Sequence, residues 1–300
     1  MTDAIIIGAG TAGLTAAIYL RRAEKTVLVL EANSFGGQIV NTPSIENFPA
    51  APHISGFDFA MKLYEQATEL GAEIRFERVT ELVDGPVKTV VTPKHTYEGK
   101  TVILATGSVN RKLSLPGEDR LTGRGVSYCA TCDGHFFRKK TVAVVGGGNT
   151  ALEDALYLSD LAEKVYVIHR RDAFRGEEAL ASSLEARENV EFVLNSNVTG
   201  LIAEENKLKA VEVTDKAGEK RTIETDGLFV AVGRIPENGA FTPLVTVDNA
   251  GYVAAGEDCH TNVPGIFAAG DNRTKTVRQL VTAAGDGAVA ATEAIKYLNS

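Results

Sequence analysis

The sequence predicts an α/β protein made of two three-layer units, and three observations predict it. A short apolar run, AIIIG (Ala4–Gly8), leads into a glycine cluster and then the helix-like stretch TAGLTAAIYLRRAE. A second run, TVAVVG (Thr141–Gly146), does the same and is followed by TALEDALYLSDLA. In each copy a further apolar run, TVLVL or KVYVIH, ends at Glu31 or His169, each 23 residues after its first glycine. Short apolar runs bounded by glycine read as strands buried on both faces, and strands alternating with helices build a parallel sheet.

The first glycine cluster is G-x-G-x-x-G: Gly8, Gly10 and Gly13, with Thr11 and Ala12 opening the helix. In a strand–turn–helix context the first glycine allows the tight turn. The second lets backbone approach a pyrophosphate, and the third lets helix pack close to strand. The helix N-terminus adds unpaired N–H groups and a partial positive charge. The second cluster is G-x-G-x-x-A: Gly146, Gly148 and Ala151, with Asn149 and Thr150. Both units therefore read as Rossmann-like dinucleotide-binding domains.

The strands that follow end differently. Glu31 suits ribose hydroxyls, as in FAD or NAD. In HRRDAFR, His169, Arg170, Arg171 and Arg175 suit a 2′-phosphate, as in NADP, because guanidinium groups bind phosphate through paired charge-assisted hydrogen bonds. TVILATGS, with Thr106 and Gly107, and LFVAVGRIPEN, with Gly233, are strands that break at glycine, each returning to its own dinucleotide site. GIFAAGD places Gly270 and Asp271 after another strand, where Asp271 can hold a ribityl or ribose hydroxyl, and the helix-like VRQLVTAAGDGAVAATEAIKYL follows. RKLSLPGEDRLTGRG and RIPENGAFTP read as linkers.

SYCATCDGHFF places Cys129 and Cys132 at disulfide spacing, with Asp133 beside them, shortly before the second cluster. A zinc site would need Cys259 and His260 as further ligands, and adjacent residues reach one tetrahedral ion poorly. The redox reading is preferred, with Asp133 as an acid–base group and no metal. Cys259 reads as a bystander.

The 300 residues carry a net charge of −8 and no apolar run near the roughly 18 residues of a membrane span. Nucleic acid and membrane are not expected partners. MTDAIIIGAG has no secretory pattern, and three cysteines do not make a secreted scaffold, so the cytoplasm is the expected location.

GAGTAG, FGGQI, ENFP, ATGS, CATCDG, GGGNTALED, HRRDAFR, GRIPEN, GIFAAGD and RQLVTAAGDGAVAA occur in that order. Together they resemble the low-molecular-weight thioredoxin reductases, flavoproteins of the pyridine-nucleotide disulfide oxidoreductase superfamily. The resemblance runs end to end. It implies an FAD domain of residues 1–112 and 237–300, with an NADP domain, 113–236, inserted between. It implies that Gly36, Gly37, Gln38, Asn47, Asp271, Arg278, Gln279 and Leu280 line the flavin. From the residues alone, FGGQ is a turn and RQL a helix opening. It further implies NADPH as hydride donor, thioredoxin or a related redoxin as partner, a homodimer, Cys132 as the sulfur nearer the flavin, and Asp133 as the acid. The second domain would swing between half-reactions, because the cysteines and the NADP fingerprint share it. A ferredoxin-fed thioredoxin reductase and a flavin dithiol oxidase are the alternatives of the same fold; the intact second fingerprint and its arginines disfavour both. Two departures stand out: Asn272 where relatives carry an apolar residue, and His135 after CDG.

Overall fold

The computed structural model describes residues 1–42 and 44–300. From the N-terminus run β1 (Thr2–Ile7), α1 (Thr11–Arg22), β2 (Val27–Leu30), α2 (Gly56–Glu69), β3 (Glu73–Arg75), β4 (Glu81–Val83), β5 (Lys88–Val91) and β6 (Thr96–Leu104). A short strand, β7 (Ser108–Asn110), follows. Then come α3 (Glu118–Leu121), β8 (Val126–Ser127), α4 (Ala130–Asp133), β9 (Thr141–Gly146), α5 (Asn149–Ser159), β10 (Lys164–Ile168), α6 (Glu178–Glu185) and β11 (Val190–Val193). After β12 (Ser196–Glu204), β13 (Lys207–Asp215), β14 (Lys220–Glu224) and β15 (Gly227–Ala231), the chain passes through β16 (Arg234–Pro236) to β17 (Ile266–Ala268) and α7 (Leu280–Asn299).

The chain divides into two compact units: Met1–Val109 with Ile235–Ser300, and Asn110–Arg234. The first holds a sheet ordered β3-β2-β1-β6-β5-β4, with β17 also on β6. Strands β3, β2, β1, β6 and β17 run parallel, and β4 and β5 are antiparallel. Alternate residues of β1 serve opposite faces. Ala4 and Ile6 pack with Leu14 and Ala17 of α1 and Ala290 and Ala294 of α7. Ile5 and Ile7 pack with Phe241, Val253 and Ile266. A strand covered on both sides must be apolar throughout, which is why β1 reads as an unbroken run.

The second unit repeats the plan with a different cover. Its parallel sheet is ordered β11-β10-β9-β15-β8. Val142 and Val144 of β9 meet Leu152, Ala155 and Leu158 of α5. Ala143 and Val145 instead meet Val211, Val213 and Ile223 of a three-stranded antiparallel sheet, β12-β13-β14.

The stretch after Asn110, which reads as a linker, is built into this unit. The Glu118 carboxylate is 2% exposed; it accepts hydrogen bonds from the N–H groups of Leu113 (3.0 Å) and Leu115 (3.2 Å) and from the Tyr128 hydroxyl (2.8 Å). A buried carboxylate needs such donors, and here they come from chain that composition alone marks as loop.

Candidate functional site

The first glycine loop follows β1. Gly8 has φ +109°, and a Cβ on it would lie 2.3 Å from the Ala105 oxygen. A Cβ on Gly13 would lie 1.9 Å from the Gly8 oxygen, so only glycine lets α1 approach this closely. Gly10 differs. Its φ is −78°, and a Cβ there would meet nothing within 4 Å. It precedes Thr11 and Ala12 at the start of α1, whose first turn has no side-chain cap. Open space over an uncapped helix start is the room a pyrophosphate needs.

Glu31 is 9% exposed and anchored beside this loop. Its two carboxylate oxygens accept the N–H groups of Ala9 and Asn33, each at 2.8 Å. Each oxygen keeps a further lone-pair direction for a hydroxyl. The FGGQ turn folds onto the same loop: Gly36 has φ +93° and donates to the Ala9 oxygen at 2.7 Å. A 3-10 turn over Gly37–Asn41 follows, leaving Gln38 exposed.

The remaining residues of this group converge from distant parts of the sequence. Asn47 donates to the Gln279 side-chain oxygen at 3.1 Å, and Gln279 caps α7 immediately before Leu280. Arg278 lies 4.0 Å above the Tyr252 ring and donates to the Asp271 and Arg273 carbonyl oxygens. Thr106 donates to Asn238 Oδ1 at 3.1 Å. Gly107 has φ +69° and open space where a side chain would stand.

Gly270 donates to Asp286 Oδ2 at 2.9 Å. Asp286 also binds Arg273 through both carboxylate oxygens, and Lys275, all at 2.8 Å. Burial works against its charge, but Arg273, Lys275 and the Gly270 N–H outweigh that and hold the carboxyl below the ordinary range. This cluster ties the Gly270–Asp271 turn to α7. Asn272 is fully buried and donates to the Leu104 oxygen at 3.0 Å, so the polar departure has a polar partner.

The second glycine loop follows β9. A Cβ on Gly146 would lie 2.4 Å from the Ala231 oxygen, the counterpart of the Gly8–Ala105 approach. Gly148 caps α5 without a side-chain bond, and a Cβ on it would meet nothing within 4 Å, as at Gly10. Ala151 takes the place of Gly13. Asn149 is locked to Glu177 by two 2.8 Å hydrogen bonds, while Thr150 is exposed. Gly233 has φ +112° and open space, as at Gly107.

His169 lies beneath this loop rather than beside an open ligand space. It is 5% exposed, its ring stacks on Phe174, and a Cβ on Gly147 would fall 2.1 Å from it. Burial pushes its pKa down, so the ring is a neutral floor for the loop. Arg170, Arg171 and Arg175 are exposed, and none is in an ion pair among the described residues.

Cys129 and Cys132 are joined by a disulfide, with Cα atoms 5.3 Å apart. Cys129 caps the single turn of α4, which contains Cys132 and Asp133. Asp133 accepts a 2.6 Å hydrogen bond from the Ser127 hydroxyl. Burial raises its pKa, and Ser127 and His135 oppose the rise. A carboxyl whose pKa is raised beside a disulfide is suited to give a proton to a departing thiolate. Phe137 packs edge-on to Phe229 in the core, whereas Phe136 is 45% exposed with the His135 ring 3.9 Å away. Cys259 is fully buried and its thiol is pushed up to about 12 by burial, leaving it inert.

Sequence reasoning missed Ser127, Glu118 and Asn238. A serine two residues before a cysteine and an acid in a loop carry no pattern of their own, and Asn238 closes GRIPEN without a signal of what it binds. Their roles come from partners that folding brings to them.

The family model for pyridine nucleotide-disulphide oxidoreductases matches residues 2–287. A thioredoxin reductase of Listeria innocua is 43% identical over 298 residues, covering 99% of this chain and 93% of that protein. One of Bacillus subtilis is 41% identical over 298 residues, covering 99% and 94%. The crystal structure of thioredoxin reductase from Streptococcus pyogenes matches with a TM-score of 0.95 at 42% identity, covering 100% of this chain and 98% of that one. That of Lactococcus lactis, in an FR conformation, matches with a TM-score of 0.69 at 40% identity, covering 100% and 99%. With a family match across nearly its whole length, and glycine loops and a cysteine pair in the places described, the chain belongs to the pyridine nucleotide-disulphide oxidoreductase family.

Proposed function

We propose that the chain is an NADPH-dependent thioredoxin reductase that carries FAD in its first unit and NADPH in its second. The Cys129–Cys132 disulfide beside a half-buried Asp133 carries this reading, because it supplies a two-electron acceptor and a proton source on one short turn. The thioredoxin reductases of Listeria innocua and Bacillus subtilis, similar over 93% and 94% of their length, support it.

Gly10, Thr11, Ala12 and Gly13 would hold the FAD pyrophosphate against α1, and Glu31 would take its ribose hydroxyls. Gly36, Gly37, Gln38, Asn47, Thr106, Gly107, Asp271, Arg278, Gln279 and Leu280 would surround the rest. Gly148, Asn149 and Thr150 would hold the NADPH pyrophosphate, with Arg170, Arg171 and Arg175 on the 2′-phosphate. When bound, the flavin would take a hydride from NADPH and supply two electrons to the disulfide.

The protein's own residues do the rest. Opening of the disulfide releases two thiolates, and Asp133 gives its proton to one of them. The dithiol then reduces a disulfide of thioredoxin by exchange, forming and resolving a mixed disulfide. The second unit joins the first through β7 and β16, and it would turn about them so that disulfide and nicotinamide are presented in sequence.

The test is anaerobic NADPH oxidation at 340 nm by the purified flavoprotein with oxidised thioredoxin. Turnover in the wild type and none in Cys132→Ser is expected, with flavin reduction by NADPH kept. Failure of NADPH to reduce the flavin would overturn the reading.

A further inference from the structure

We infer that Ser127 is a positioning residue for proton delivery at the redox pair: its hydroxyl holds Asp133 in both protonation states and ties it to the Cys129 backbone. The inference rests on the proposed role of Asp133 and adds to it.

Ser127 ends β8, a strand at the edge of the five-stranded sheet, and is 4% exposed. Its hydroxyl is 2.6 Å from Asp133 Oδ2 and 3.4 Å from the Cys129 carbonyl oxygen, and it accepts the Cys129 N–H at 3.1 Å. The hydroxyl has one proton and two acceptors within reach. With Asp133 ionised, Ser127 donates to the carboxylate. With Asp133 protonated, the acid proton can point to Ser127 Oγ while the serine proton turns to the Cys129 carbonyl. Oγ then accepts two hydrogen bonds and donates one, which fills its capacity. Neither state leaves a buried polar atom unpaired around this serine.

The chemical step this serves is balanced. Two electrons enter the Cys129–Cys132 bond, the bond breaks, and two thiolates form. One takes the proton of the Asp133 carboxyl, which becomes a carboxylate. The Ser127 proton then rotates from the Cys129 carbonyl onto the new carboxylate. Asp133 thus changes charge without moving, held by a strand rather than by its own one-turn helix.

The groups that face Asp133 are few. Ser127 comes from β8, and the cysteines and Thr131 share its own turn. His135 is the titratable group whose field acts on it. Helix α5, packed beside this segment, brings Tyr157 and Leu158 against Gly134.

The experiment is a pH profile of thioredoxin turnover by the holoenzyme for wild type, S127A, S127T, D133N and the double variant S127A with D133N. Losing a hydrogen bond to a charged group should raise the Asp133 pKa and move the alkaline limb of kcat upward by about one pH unit. Turnover at the wild-type optimum should also fall roughly fivefold to tenfold, because the acid is no longer held. S127T keeps the hydroxyl and restores the limb. In the D133N background, S127A shifts nothing further. A superimposable S127A profile, or the same S127A shift with D133N, overturns the inference.

If the wild type reduces its flavin but does not turn over thioredoxin, the reductase reading fails by itself. The role of Ser127 is then read from the rate at which dithiothreitol opens the disulfide across pH, since that reaction asks Asp133 for the same proton. An S127A-to-wild-type rate ratio that varies with pH, and does so only with Asp133 present, supports the inference; a constant ratio overturns it.

Discussion

The two glycine loops share one register, and three of the matched positions at which they differ are informative: Gly13 against Ala151, Ala16 against Asp154, and Glu31 against His169. What they share is the demand of phosphate on backbone, an open Cβ position at Gly10 or Gly148 over an uncapped helix start. What differs is how near the helix comes, what the helix buries, and which end of the nucleotide the second strand addresses. A duplicated frame thus keeps the anion site constant while the surroundings set cofactor identity.

The helix approach gives the largest expected effect. A Cβ on Gly13 would meet the Gly8 oxygen at 1.9 Å, backbone that cannot swing aside. Gly13→Ala should destabilise the first unit by about 3 kcal/mol or more and release the flavin. The reverse exchange, Ala151→Gly, meets no such contact and should cost about 1 kcal/mol. Thermal unfolding followed by flavin fluorescence separates the two. If both variants keep flavin equally, the loops are interchangeable and the comparison breaks.

The second contrast lies inside the helices. Ala16 is fully buried in α1, whereas at the matching position in α5 Asp154 titrates at about 7, pushed up by burial first and then by Glu153, with Arg234 opposing. A carboxyl whose folded pKa is raised costs nothing at low pH, where it is protonated folded and unfolded alike. As pH rises through the unfolded value near 3.9, the unfolded chain ionises and the folded one does not, so stability falls until the folded pKa is passed. Asp154→Ala should therefore stabilise the second unit by about 2 kcal/mol at pH 8, the carboxyl being only half-buried, and by little at pH 4. Denaturant titrations at the two pH values read this directly. A gain that does not depend on pH would assign it to helix propensity instead.

Next come the arginines. Arg170, Arg171 and Arg175 are exposed and in no ion pair among the described residues, so losing one costs the fold little. Each Arg→Gln change should raise KM for NADPH roughly 10-fold to 100-fold while leaving KM for NADH nearly unchanged. Equal losses with both nucleotides would place the arginines on the pyrophosphate.

How much of this was readable in advance depends on how local the cause is. The loops were legible because Gly13 answers to the Gly8 backbone five residues before it and Gly10 opens the helix start between them, although Gly8 itself answers to the distant Ala105, and the apolar runs because β1 and β9 are covered on both faces. The Arg170–Arg175 cluster was legible from charge and position. Gly36 and Asn47 were reached through resemblance alone, since Gly36 answers to Ala9 and Asn47 to Gln279. His169 illustrates the limit: its place in the motif suggested a ligand, but the ring lies under Gly147. The stretch from Arg111 read as linker because proline, glycine and charge dominate it; the buried Glu118 that organises it finds Tyr128 only after folding. Phe136 and Phe137 are alike in sequence, and only Phe229 decides which of them is core.

The smallest effect tests the acid itself. Glu31 accepts an N–H on each carboxylate oxygen, from Ala9 and from Asn33. Glutamine offers one oxygen, so its amide nitrogen must face one of these donors or turn away from it. The loss is one hydrogen bond to a charged group, partly recovered by water at the Asn33 side, where the bond is only part-buried. Glu31→Gln should weaken FAD binding about fivefold to tenfold, close to 1 kcal/mol, without altering KM for NADPH. Fluorescence titration of the apoprotein with FAD measures the first, and steady-state kinetics at saturating FAD the second. Were the carboxylate merely a structural clip for Ala9 and Asn33, Glu31→Gln would lower the melting temperature of the apoprotein and leave FAD affinity intact. If it addresses the ribose as well, affinity falls more than apoprotein stability does, and the acid at the end of β2 is to the first loop what the arginines after β10 are to the second.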